Sequence, residues 1–81
     1  MKIKATIRLK EGVLDPQGKA VETTARKLNF EEFHGFRIGK IIEFQTDHTD
    51  KSFIQKEAEA LADKLLANTV IENYDIEIVE E

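Results

Sequence analysis

Lys2-Ile3-Lys4-Ala5-Thr6-Ile7-Arg8-Leu9-Lys10 alternates without a break and leads through Gly12 into Leu14-Asp15-Pro16-Gln17-Gly18. Ile3, Ala5, Ile7 and Leu9 fall on one side; Lys2, Lys4, Thr6, Arg8 and Lys10 fall on the other. A period of two sustained this long specifies a half-buried strand. Asp15-Pro16 then starts a helix. The aspartate accepts a hydrogen bond from a free N–H of the first turn, and proline at the first helical position gives up a donor that has no partner there. Val21, Ala25 and Leu28 follow at i, i+4 and i+7 on one helical face, and Asn29 reads as a left-handed terminator.

Outward from this unit, Phe33 to Ile38 and Ile41 to Gln45 read as two strands. Gly39-Lys40 between them suits a type II′ hairpin turn. Phe36 and Ile38 share one face, Ile42 and Phe44 the facing positions, and Gly35 marks a weak point or bulge. Thr49 or Asp50 caps a second helix with Ile54, Ala58, Leu61, Ala62 and Leu65 inward and Gln55, Lys56, Glu57, Glu59, Asp63 and Lys64 solvated. Asn68 terminates it. Val70 to Val79 is the last strand, with Tyr74, Ile76 and Ile78 on one face and Asn73, Asp75 and Glu77 on the other.

The order β-α-β-β-α-β predicts an α+β, two-layer, ferredoxin-like antiparallel sheet with two helices on one face and the first strand between the third and fourth. Lys4, Arg8 and Lys10 then face solvent beside Asp75 and Glu77, and opposite charges on paired strands contribute about 0.2–1 kcal/mol per pair. The expected core is Ile3, Ile7, Leu9, Ile42, Phe44, Ile76 and Ile78 with Val21, Leu28, Ile54, Leu61 and Leu65. On the open face, Phe33, Ile41, Ile71 and Val79 are candidates for an association patch.

The 81 residues allow one domain, 1–81, and small chains without disulfides or metals gain stability by associating. Cysteine is absent, and His34 and His48 are the only histidines. The net charge of −4 disfavours a nucleic-acid partner, whose affinity rests on phosphate neutralisation. The basic outer face of the first strand also lacks the aromatics of an RNA-binding sheet. No apolar run reaches the roughly 20 residues that span a membrane, and the N-terminus lacks a signal-peptide apolar region; the expectation is a cytoplasmic protein. Asp47-His48-Thr49-Asp50 reads as a turn and cap, lacking the ligand number and length of a calcium loop. No serine or threonine has a histidine–acid pattern around it, and Gly12 and Gly18 make no phosphate-binding loop. No catalytic residue, metal ligand or cofactor site is expected in this chain.

Several pieces recur together in one family: the strand exit Leu9-Lys10-x-Gly12-Val13, Leu14 to Gly18, Val21, Leu28 and Phe30, Arg37-x-Gly39-Lys40, and Leu65-Leu66-Ala67-Asn68-Thr69-Val70-Ile71-Glu72-Asn73-Tyr74. In that order, and over essentially the whole chain, they resemble PurS, the small subunit of phosphoribosylformylglycinamidine synthase. Asn29 stands where the family often has glycine, and Thr69 where proline is usual. The resemblance implies a non-catalytic subunit of an ATP-dependent glutamine amidotransferase complex in purine biosynthesis. It implies a homodimer or higher oligomer bridging a PurQ-type glutaminase and a PurL-type synthetase and assisting ammonia transfer. ATP and magnesium would be used by the synthetase. Asp15, Pro16, Gly18, Gly39 and Asn68 match the family's motifs with structural duties. Gln17, Arg37, Lys40 and Glu72 match without an evident duty and are the candidates for partner contact. The alternative is a regulatory domain of the same topology that binds an amino acid, because fold alone does not decide function.

Overall fold

The structure is a computed structural model that describes residues 1–80; Glu81, the last residue of the expected domain, lies outside them. The alternating N-terminal stretch forms β1, Lys2–Leu9. It is followed by α1, Pro16–Lys27, β2, Gly39–Gln45, α2, Lys51–Leu61, a π-helical turn, Ala62–Leu66, and β3, Glu72–Val79. β1 is the central strand of the sheet β2-β1-β3 and pairs antiparallel with both neighbours. Ile3 lies between Phe44 and Ile78, Ala5 between Ile42 and Ile76, and Ile7 between Lys40 and Tyr74. Ile3, Ala5 and Ile7 are buried, whereas Ile42, Phe44, Ile76 and Ile78 on the flanking strands are half-buried. α2 covers this face with Ile54 and Ala58, and Met1, Phe44, Ile76 and Ile78 close around them.

The α+β class, the antiparallel sheet and the central place of β1 are as the sequence predicts. The second of the four expected strands differs. Residues 33–38 have no strand pairing, and the sheet has three strands among the described residues. Gly39-Lys40 is not a turn but the start of β2, opposite Arg8 and Ile7. Gly39 does not have a positive φ; its hydrogen takes the place of a side chain because a Cβ there would lie 2.7 Å from both Ile7 O and Arg8 Cγ. The left-handed glycine is Gly35, at φ 71°, where the chain turns toward β2.

The helix ends explain most of the other differences. Asp15 caps α1 by accepting the Gly18 N–H at 2.8 Å, and Asn29 terminates it at φ 72°. Asp50, not Thr49, caps α2, accepting from Ser52 and Phe53. Asn68 does not terminate α2. The helix widens first into the π turn, closed by the Ala67 N–H on Ala62 O at 2.9 Å, and Ala67 is already extended. Asn68 instead builds the turn into β3, taking the Val70 N–H on its side chain and those of Ile71 and Glu72 on its carbonyl. Ala62 faces inward as the period requires, but the wide turn then breaks that period, so Ala67 faces inward and Leu65, expected in the core, is 73% exposed. Ile71 and Val70 precede β3 rather than belonging to it.

Val21, Leu28 and Leu61 are also exposed, contrary to the expected core. The cause is shared: α1 makes only sparse contact with the strands of its own chain, so it does not complete the helix layer beside α2. The chain is accordingly elongated, 49 × 29 × 14 Å. The open-face patch does not come together either. Ile41 stands opposite Thr6 and Val79 opposite Lys2, with Lys4, Glu43 and Glu77 on the rows between them, while Phe33 and Ile71 lie off the strands. Of the charges expected to pair on this face, Arg8 meets Asp75 at 3.7 Å; a pair that was not expected, Lys2 with Glu43 at 2.8 Å, joins β1 to β2. The ammonium of Lys2, with Lys4 nearby, holds the Glu43 carboxyl below its ordinary pKa.

Because Ile3 is enclosed by both flanking strands and α2, Ile3→Ala is expected to cost about 2–5 kcal/mol in urea unfolding. Ala5→Leu, which inserts volume into a fully enclosed site, is expected to cost about 1–3 kcal/mol by the same measurement.

Candidate functional site

The end of the sheet at Arg8-Leu9 gathers the residues that the sequence singled out. β1 ends there because Gly12, at φ 85°, reverses the chain, while the Lys10 N–H on Ile71 O at 2.8 Å carries the pairing one residue past the strand. Two clefts meet at this end. One, of about 540 Å³, is lined by Arg8, Lys10, Arg37, Glu72, Tyr74 and Asp75 among others. The other, of about 400 Å³, is lined by Asp15, Pro16, Gln17, Gly39, Lys40 and Glu72 with Ile7, Leu9 and Ile38. Arg8, Leu9 and Glu72 belong to both. Gln17, Arg37, Lys40 and Glu72, dispersed over 56 residues of chain, thus converge on one end of the molecule.

Their local bonds revise the division between structural and free residues. The Glu72 carboxylate accepts the Asn68 N–H at 2.7 Å and so caps the loop before β3. The Arg37 guanidinium donates to Leu9 O and ties the segment before β2 to the end of β1. Both therefore have structural duties that sequence reasoning did not assign. Gln17 and Lys40 have no side-chain bond or ion pair among the described residues and stand free in the second cleft.

The larger cleft balances Arg8, Lys10 and Arg37 against Glu11, Glu72 and Asp75. Such a lining recognises a polar surface better than it concentrates ions of one sign. Tyr74 at its edge has its phenol pushed up by burial and by the nearby charges of Asp63 and Glu59, so it remains a neutral hydrogen-bonding group at neutral pH. Among the described residues there is no cluster of three or more histidine, cysteine or acidic side chains that could hold a metal ion. Nor is there a helix long and apolar enough to cross a membrane. His48 is engaged in a tilted ring contact with Phe53, 4.7 Å between centroids.

Sequence reasoning missed the junction between α1 and residues 35–38. Glu22 is the buried charged residue of α1, and its Oε1 accepts the Gly35 N–H at 2.7 Å. Asp15 serves twice, taking Gly18 on one oxygen and the Ile38 N–H at 2.8 Å on the other. Between them Phe36 O presses on Gly18 so closely that a Cβ there would lie 2.1 Å away. Asp15, Gly18 and Glu22 fall at i, i+3 and i+7, which is one helix face; that polar row was the available signal.

Gly18→Ala is the sharp test of this junction. In a free helix the change stabilises by about 0.5–1 kcal/mol. Here the methyl would meet backbone, so the expected result is net destabilisation in urea titration, with loss of amide protection at Gly35 and Ile38.

Comparison with known proteins agrees with this architecture. Residues 2–80 match the family model described as PurS, phosphoribosylformylglycinamidine (FGAM) synthase. A phosphoribosylformylglycinamidine synthase subunit PurS of Bacillus subtilis is 40% identical over 79 residues, 98% of this chain and 93% of that protein. The B. subtilis PurS structure superposes with a TM-score of 0.85, covering 98% of each chain. PurS of Methanocaldococcus jannaschii superposes at 0.87, with 30% identity over 99% of this chain and 96% of that one. Its sequence and its three-stranded, two-helix architecture together place the chain in the PurS family of phosphoribosylformylglycinamidine synthase subunits.

Proposed function

We propose that this chain works as a homodimer, or a higher oligomer, that bridges a PurQ-type glutaminase and a PurL-type synthetase and assists ammonia transfer without performing chemistry itself. One observation carries the reading. The large apolar side chains buried in the chain are Ile3, Ile7 and Ile54, whereas twelve others, from Leu14 to Ile71, are exposed. A fold that leaves so much apolar surface open is organised for contact. Two of these surfaces are open and apolar. A groove of about 310 Å³ lies open beside α2, lined by Ile3, Phe44, Phe53 and Leu61 among others. The stripe Val21, Ala25, Leu28 and Phe30 leaves α1 unpartnered. A second copy covers both; of the two glycines about which a strand could be exchanged, Gly35 is fastened to Glu22, which leaves Gly39 as the hinge. The sheet end, with Gln17 and Lys40 free, is then the surface offered to the larger subunits, and ATP and magnesium are used by the synthetase. A cytoplasmic location follows from this role. The amino-acid-sensor alternative has no observation in its favour.

Sedimentation at micromolar concentration is expected to show a dimer or larger species; a stable monomer would sink the dimer. The purified chain is expected to show no glutaminase, ATPase or ligase turnover. Lys40→Ala is expected to leave fold and oligomer intact while weakening assembly with the two larger subunits by about 1–2 kcal/mol if it is a central contact. Arg37→Ala should do likewise but also loosen its tie to Leu9. The measurement is reconstitution with separate glutamine-dependent and ammonia-dependent rates. Selective loss of the former supports the bridge, and full coupling without the small chain overturns it.

A further inference from the structure

Helix capping needs one oxygen of Asp15, and the structure uses both. Oδ1 takes the Gly18 N–H and Oδ2 the Ile38 N–H, each at 2.8 Å. Two turns along the same face, Glu22 Oε1 takes the Gly35 N–H at 2.7 Å. Residues 35–38 therefore lie along α1 fastened at both ends, with Phe36 O against Gly18 between the fastenings. α1 itself barely touches the strands, so the sheet reaches this arrangement from the other side, through Arg37 on Leu9 O and Gly39 opposite Arg8.

The charged surroundings are few. Glu22 Oε2 faces Arg26 at 3.3 Å and Lys19 at 3.6 Å, both from α1. Asp15 has the charge of Arg37 from the segment before β2. Glu31, Glu32 and His34, the other titratable groups between α1 and β2, form no bond or ion pair among the described residues.

We propose that Asp15 and Glu22 make α1 and residues 35–38 one preformed arm, and that neutralising these two carboxylates dissociates the oligomer while the sheet of each chain stays folded. The inference rests on the homodimer reading above. Its physical basis is preorganisation. A helix whose apolar stripe is held in a fixed relation to the following segment docks at less entropic cost than one that must be ordered on contact.

The direction of the pH dependence follows from the bonds. The Asp15 carboxyl is held below its ordinary value first by the Gly18 N–H and then by the Ile38 N–H. The Glu22 carboxyl is lowered first by the Gly35 N–H and then, against the opposing effect of burial, by Arg26 and Lys19. With folded values below unfolded ones of about 3.9 and 4.3, the clamps contribute fully above that range and are lost as pH falls through the lower folded values.

The experiment is sedimentation with parallel circular dichroism on the full chain. Wild type, Asp15→Asn, Glu22→Gln and the double variant are compared at pH 7 and down to about pH 3. An amide at 15 presents an acceptor at only one of the two positions that Oδ1 and Oδ2 occupy and sets a donor against the other N–H, and one at 22 loses its ionic partners. The double variant is expected to dissociate about tenfold more readily or more at pH 7, with unchanged sheet signal, because hydrogen bonds to charged groups are the stronger ones. Wild type is expected to dissociate in acid before its sheet signal changes, and the double variant to lose that pH dependence. Wild-type affinity in the double variant, or an acid dissociation that coincides with loss of the sheet, overturns the inference. A wild-type monomer at pH 7 overturns the dimer reading itself. Amide exchange at Gly35 and Ile38 then reads the clamp separately: protection equal in wild type and double variant shows that the carboxylates fasten nothing.

Discussion

The rest of the structure depends on β1 being bonded along both edges at once. Its neighbours supply Phe44 and Ile78 beside Ile3, and Ile42 and Ile76 beside Ala5. This doubled pairing makes the middle strand the most buried part of the chain, and it decides which faces of β2 and β3 look inward. A one-residue slip would bring Lys2, Lys4 and Thr6 to the helix side, so the alternation of β1 enforces the register of the whole sheet. Everything placed by the sheet, including the strand-end clefts, inherits its position from that register.

The same strand shows why the chain is incomplete alone. A three-stranded sheet with one helix on it shelters Ile3, Ile54 and Ala58 but leaves Phe53 and Leu61 at the open side. The other helix is held to residues 35–38 by backbone N–H groups donated to Asp15 and Glu22. Polar bonds thus set the shape of the arm, and its apolar stripe is left for contact. This division suits a subunit that acts through surfaces: conformation is fixed internally by directional hydrogen bonds, while the non-directional apolar area is kept for association.

The strand-end site mixes the two roles more than its motifs suggest. Glu72 and Arg37 hold the backbone at Asn68 and Leu9, and by doing so they shape the clefts in which Gln17 and Lys40 stand free. Fixed and free side chains thus come from the same short motifs, the free ones standing on α1 and β2.

Local order was legible in the sequence wherever one element's own period or cap decided it. The alternation from Lys2 to Lys10, Asp15-Pro16 at the start of α1, Asn29 at its end and the inward run of Ile54 and Ala58 each depend on neighbours within a few residues. The residues converging on the sheet end were legible as motifs, though not as a place. What only the tertiary structure decided were the relations between elements. Residues 33–38 have the composition of a strand, but strand formation needs a partner edge, and Asp15 and Glu22 claim the Ile38 and Gly35 N–H groups instead. Val21 and Leu28 have helical spacing, but spacing defines a face without naming what covers it. Leu65 continues the period of α2 on paper, and one wide turn at Ala62–Leu66 rotates it to solvent. Periodicity is a property of one segment, whereas burial belongs to a pair of surfaces, and the second surface is not written in the first.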